Sequence, residues 1–194
     1  MDTRAYPGHC RMLLERQGSN RSNQIQNALF DDGQGNAILS SGCYLDEYAK
    51  TQTLRGRRVG PSLPISLGPT INMDFVHAIR CQCPSILQRW AERPRHLPAP
   101  DVVLKVVSLG SVVTPVSFKG SEFKFFEWRI CFNTGETELI NNMNVNQTKV
   151  YVILKMIIRD VLKPKKKELT SYMLKNIIFW QAESNTPAMF QDRN

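Results

Sequence analysis

The 194-residue chain is short of the residues and patterns that announce the commoner chemistries. It holds five cysteines, an odd number, at Cys10, Cys43, Cys81, Cys83 and Cys131, with no framework spacing. They read as reduced thiols, which points to the cytosol or nucleus rather than a secreted, disulfide-built scaffold. Cys81-x-Cys83 lacks the second Cys or His pair that a structural zinc site needs, and the three histidines do not supply one. No apolar run approaches the roughly 20 residues of a membrane span. Met1 to Tyr6 carries no apolar core of the secretory type. A glycine-rich phosphate loop, a dinucleotide fingerprint and a Ser-His-Asp order are all missing. Acid is also scarce: 17 Asp and Glu face 25 Lys and Arg, leaving a net charge of +8 and a pI near 9.4. Anionic partners such as nucleotides, nucleic acid or an acidic surface are favoured by that balance.

What is present is patterned. Phe126, Trp128, Ile130 and Phe132 alternate on one face of a strand, with Glu127, Arg129 and Cys131 on the other. An acid and an arginine opposite a core-filling face are expected to line something polar. Upstream, His9 to Gln17 begins as a strand, and the Asn-, Gln-, Ser- and Gly-rich stretch 18–35 reads as a loop. Ser40 or Ser41 caps a short helix through Tyr44, Leu45, Tyr48 and Ala49. Arg55-Gly56-Arg57-Arg58 and the prolines after it form a basic connector. Met73 to Cys81 is expected as one strand, with Met73 and Phe75 inward and Asp74 outward. Short helices follow over 86–93 and 102–109, the second opened by Pro100-Asp101 and closed by Gly110. Another runs from Gly135 to Met143.

Val150, Ile153, Leu154, Ile157, Ile158, Val161 and Leu162 fall on one helical stripe, with Asn144 or Asn146 as cap. Pro164 ends that helix. A last helix starts near Thr170 or Ser171 and is apolar nearly all round, so burial between neighbours is expected. Strands first and helices last make an α+β chain. The segment from Asn144 to Asn194 holds nine basic and four acidic residues. Lys155 and Arg159 share a face, with Lys163, Lys165, Lys166 and Lys167 beyond, the clustering that phosphate binding requires. A merely solvated helix face is the competing explanation. Asp74 is the one strand acid that suggests a metal ligand, but no acid pair stands near it in sequence to complete a two-metal site.

The strand Glu127-Trp128-Arg129-Ile130-Cys131-Phe132, the later Glu136, Tyr151-Val152-Ile153-Leu154-Lys155 and Leu169-Thr170-Ser171-Tyr172-Met173-Leu174-Lys175 resemble the Mab-21 (male-abnormal-21) family, which includes cyclic GMP-AMP synthase. Met73-Asp74-Phe75-Val76 and the segment from Cys83-Pro84 to Trp90 agree in order. The resemblance implies a partial nucleotidyltransferase sheet core over 1–133. It also implies a partial C-terminal helical lobe over 134–194, of helix-hairpin-helix or helix-two-turn-helix type. Active relatives join ATP and GTP into a cyclic dinucleotide with two magnesium ions after sensing double-stranded nucleic acid. By position, Asp74 resembles the third metal-binding acid, Arg129 and Glu136 nucleotide contacts, and Lys155 a phosphate- or base-side contact. Tyr172, with Ser171, resembles the aromatic that stacks on a base; a core aromatic is the competing explanation for Tyr172.

The departures are as informative. The family's Gly-Ser loop and acid-x-acid pair are absent, Cys131 and Asn133 stand where serines are common, and 142–147 is too short for the zinc insertion of the DNA-sensing synthase. A domain cut at both ends, marginally stable and without catalysis, is the resulting expectation, with magnesium relevant only if the missing acids exist upstream. Three classes remain open: a sensor enzyme seen in part, a silent Mab-21 protein that binds ATP, GTP, or double-stranded RNA or DNA, and a protein-interaction or developmental regulatory scaffold.

Overall fold

Alternation around Trp128 places that indole at the centre of the first hydrophobic core. A computed structural model describes residues 6–15, 22–51, 60–67, 70–162 and 170–190. Strand β8 (Glu127–Cys131) lies between β1 (His9–Arg11) and β7 (Ser111–Thr114), and β6 (Ile79–Cys81) pairs with the far side of β7. All three pairings are antiparallel, and the register sets Cys10 opposite Trp128 and Val113 opposite Ile130. Trp128 is 0% exposed among Cys10, Val113, Leu39 and Tyr44, and its Nε1 donates to the Leu39 carbonyl at 3.0 Å. Burying an indole in this way removes a large apolar area from water while its one polar group keeps a partner.

Stretch 18–35 was expected as loop. Its described part instead carries α1 (Asn23–Asn27) and β2 (Leu29–Asp31), which pairs with β3 (Ala37–Leu39). Asp32 accounts for the difference. Its carboxylate accepts from the Gln34 and Asn36 amides at 2.8 and 3.0 Å and from the Asn36 side chain at 2.9 Å, closing the polar run into a hairpin turn. The Asn36 side chain, then the two amides, hold the Asp32 carboxyl below its usual range. Ser40 caps α2 (Ser41–Lys50), accepting from Cys43 N, as its sequence position suggests.

The strand expected over Met73–Cys81 is divided. β5 (Ile71–Val76) pairs with β4 (Ser62–Leu67) in a two-stranded ribbon, and β6 joins the larger sheet. Met73 and Phe75 are exposed rather than inward: every residue of β5 is exposed, and among the described side chains of the ribbon only Leu63 is deeply buried. The imidazole of His77, between the two strands, stacks on Tyr48 with centroids 4.1 Å apart.

These elements belong to one compact unit, Met1–Gln82 with Ser111–Cys131. The helices form a second, Cys83–Gly110 with Phe132–Asn194. Residues Cys83–Gly110 thus share a unit with Phe132–Asn194. Prolines in the first turn open α3 (Pro84–Ala91) and α4 (Pro100–Leu109), and Gly110, at φ 68°, ends α4 where a side chain is disfavoured. α5 (Asn133–Asn141) crosses α4 closely: a Cβ on Gly135 would stand 2.9 Å from Val106 Cγ1. α6 (Val145–Ile157) starts with a capping box in which Asn144 Oδ1 accepts from Gln147 N at 2.8 Å and Gln147 Oε1 accepts from Asn144 N at 3.0 Å. It continues as a π-helical turn, Ile158–Leu162. Thr170 caps α7 (Ser171–Ser184).

Two burial expectations fail here. The apolar stripe of α6 is largely outward, with Ile153 at 56% exposure and Val150, Ile157, Val161 and Leu162 exposed too. Among its described side chains α7 buries only Leu174 and Ile178 deeply, and it leaves Ile177 and Trp180 in solvent. Periodicity records which side chains share a face, and a neighbour must cover that face before it becomes core. The chain is thus mixed α and β with small antiparallel sheets, and among the described residues no helix is long and apolar enough to cross a membrane.

Candidate functional site

The acid of the Trp128 strand does not line an open polar face. Glu127 is 1% exposed; Oε2 accepts from Phe118 N at 2.9 Å and Oε1 from Ser121 Oγ at 2.7 Å. Ser121 Oγ in turn accepts from Phe123 N at 3.0 Å, so the carboxylate organises the 118–127 turn. A buried carboxylate is tolerated when donors satisfy it, and these do. Arg129, its neighbour but one, is exposed on β8 between His9 and Thr114. Asp74 is exposed on β5, opposite Pro64. Among the described residues no group of three or more His, Cys, Asp or Glu side chains stands close enough to hold a metal, so Asp74 has no companions fit for magnesium there.

The helical unit brings other sequence candidates together. Lys175 Nζ donates to Glu136 Oε2, tying α7 to α5, with both side chains about one-fifth exposed. The same ammonium lies 5.7 Å from the ring centroid of Tyr172, one turn earlier on α7, and that ring is 61% exposed. Tyr172 is therefore a surface aromatic beside a cation, not a core residue. Lys155, exposed on α6, sits 5.9 Å from the Tyr151 ring. Ser171 is the first residue of α7.

Arg159 differs from the free cation that the basic stripe suggested. Its Nε and Nη2 donate to both oxygens of Asp160 at 2.6 and 2.8 Å, a bidentate pair in full solvent. That contact raises the guanidinium's pKa and lowers the carboxylate's. Lys163, Lys165, Lys166 and Lys167 lie outside the described residues. Lys175 belongs to the cluster although only its place in the Tyr172 segment hinted at it; the i, i+3 spacing from Tyr172 was the available signal.

A cavity of about 400 Å³ lies within the helical unit. Trp90 of α3, Leu139 of α5, Met143, and Phe179 and Trp180 of α7 supply its apolar lining, and Glu136 and Gln147 take part. On the α3 and α7 side, Glu183 accepts from Arg93 Nη2 at 3.0 Å and pairs with Arg95 Nη1 at 3.3 Å. The Arg95 guanidinium lies 4.3 Å over the Trp90 ring, and burial lowers its pKa. Gln147 is 2% exposed, and its Nε2 has no hydrogen-bond partner among the described residues. Sequence reading missed this cavity, because its walls come from helices far apart in the chain. The one signal was Asn144-x-x-Gln147, legible as a cap.

No protein-family model matches the chain, and a search of curated proteins finds no match either.

Proposed function

We propose that the chain is a Mab-21-like, nucleotidyltransferase-derived protein whose helical unit binds a purine nucleotide without turning it over. The observation that carries this is the outward Tyr172 ring beside Lys175, itself anchored by Glu136. A base stacks on the ring, and the ammonium, which has three donors and spends one on Glu136, serves the phosphates. Lys155 and Ser171 contribute on the same unit; Arg129, exposed on the sheet unit, is a separate candidate contact to a nucleotide. ATP and GTP are the ligands of first choice. Double-stranded RNA or DNA follows as a second anion, reached through Lys155, Arg159 once it leaves Asp160, and Lys163 and Lys165 to Lys167. A role in innate-immune sensing in the cytosol or nucleus belongs to the same proposal.

Binding rather than catalysis is proposed because Asp74 alone cannot hold two magnesium ions. Calorimetric titration with ATP and GTP tests the reading. Stacking contributes about 1–3 kcal/mol per base, so Tyr172→Ala weakens binding roughly tenfold or more while Tyr172→Phe preserves it. Equal affinity of the parent and Tyr172→Ala proteins removes the site, and magnesium-dependent consumption of ATP and GTP removes the claim of no catalysis.

The outward apolar side chains of α6 favour a second reading, a non-catalytic protein-interaction scaffold with a developmental regulatory role. A parent protein that shows no affinity for either nucleotide and none, at any salt concentration, for duplex RNA leaves that reading in place.

A further inference from the structure

We infer that the cavity of the helical unit is a binding site for a neutral, flat, largely apolar small molecule carrying one hydrogen-bond acceptor, which Gln147 Nε2 receives. The inference does not rest on the nucleotide reading; the two sites share only Glu136.

Size and lining set the ligand class. About 400 Å³ falls within the range of small-molecule sites, and indole and phenyl walls from Trp90, Trp180 and Phe179 suit a planar ring system. Both carboxylates on the wall are already taken: Glu136 holds Lys175, and Glu183 is shared by Arg93 and Arg95, leaving the cations one in excess. A cationic ligand would find neither acid free, and an anionic one would lose its hydration against a mostly apolar lining, so a neutral one is selected.

Gln147 supplies the orientation. Its Oε1 is committed to the Asn144 amide, which only an oxygen can satisfy. That fixes which end of the side-chain amide is nitrogen and leaves Nε2, on a residue of the cavity lining, buried and without a hydrogen-bond partner among the described residues. An unsatisfied buried donor costs about 1–3 kcal/mol, and a carbonyl or ring-nitrogen acceptor in the cavity relieves that cost. The site therefore discriminates between molecules of one shape that have or lack an acceptor.

Coumarin and naphthalene, similar in size and planarity, differ in that acceptor. Saturation-transfer NMR and quenching of tryptophan emission measure their binding to the full 194-residue chain. Coumarin is expected to bind roughly tenfold more tightly than naphthalene, a difference worth about one hydrogen bond. Gln147→Glu keeps the capping oxygen and removes the donor, so it erases the preference. Ala182→Phe fills the cavity and abolishes binding of both, with a retained cooperative melt showing that the fold survives. Tyr172→Ala leaves coumarin binding unchanged while it weakens ATP, which separates failure of this site from failure of the nucleotide site. Equal binding of the two probes, a preference that persists in Gln147→Glu, or undiminished binding in a folded Ala182→Phe protein overturns the inference.

Discussion

Glu127 in the sheet unit and Gln147 in the helical unit are both buried to within 2% of full enclosure, yet they are used differently. Both oxygens of Glu127 accept bonds from the turn that precedes it, so its hydrogen-bonding capacity serves the fold. Gln147 gives one end of its amide to the start of α6 and leaves the other idle. The aromatics repeat the contrast: Trp128 is fully enclosed with its N–H bonded, whereas Trp180 is 60% exposed on the wall of a cavity. A residue type that looks functional in sequence can be wholly consumed by structure, and an unremarkable glutamine can retain free chemistry. Burial alone does not separate the two. An accounting of partners does.

Substitutions can break this contrast. Trp128→Ala is expected to have the largest effect, costing about 4 kcal/mol by emptying the core and orphaning the Leu39 carbonyl, seen as a lower urea midpoint and faster amide exchange in β1, β7 and β8. A loss below 1 kcal/mol would show that the sheet unit is not built around this side chain. Asn144→Ala removes the cap of α6 and should cost about 1 kcal/mol, with exchange accelerated in the first turn of that helix. Trp180→Ala is expected to change stability by less than about 0.5 kcal/mol, since the ring is mostly in solvent, while altering coumarin binding; an effect as large as that of Trp128 would erase the distinction.

The smallest effect concerns pH. Burial depresses the His77 pKa, so the folded state resists its protonation. The stability this contributes is complete above the unfolded value of about 6.5 and is lost as pH falls through the lower folded value. An NMR titration of His77 should give a midpoint below the ordinary imidazole range that rises in Tyr48→Ala, where the stacked ring is gone. An unshifted midpoint in the parent would remove this term.

Local signals were legible in the sequence where one residue decides the outcome. Ser40, Asn144 and Thr170 cap the helices their positions suggest, Pro100 and Gly110 bound α4, and Trp128 fills a core. Signals that depend on a distant neighbour were not. The α6 stripe and the alternating Met73 and Phe75 have the right spacing for burial, but coverage by another element is a tertiary property that periodicity does not encode. Glu127 was read as facing a ligand because its donors, Ser121 and the Phe118 amide, come from an irregular turn with no motif of its own. Of the candidate site, the sequence points to Glu136 and Tyr172, whereas the lysine that joins them stands among ordinary helix residues with nothing local to single it out.

Gly135 carries one more consequence. Since even a methyl group there would press on Val106, the spacing of α5 from α4 is dictated by the smallest residue available. Glu136 follows directly, so its carboxylate inherits a location chosen by helix contact rather than by whatever it recognises. Enlarging a residue that has no charge and no side-chain donor would displace the acid all the same.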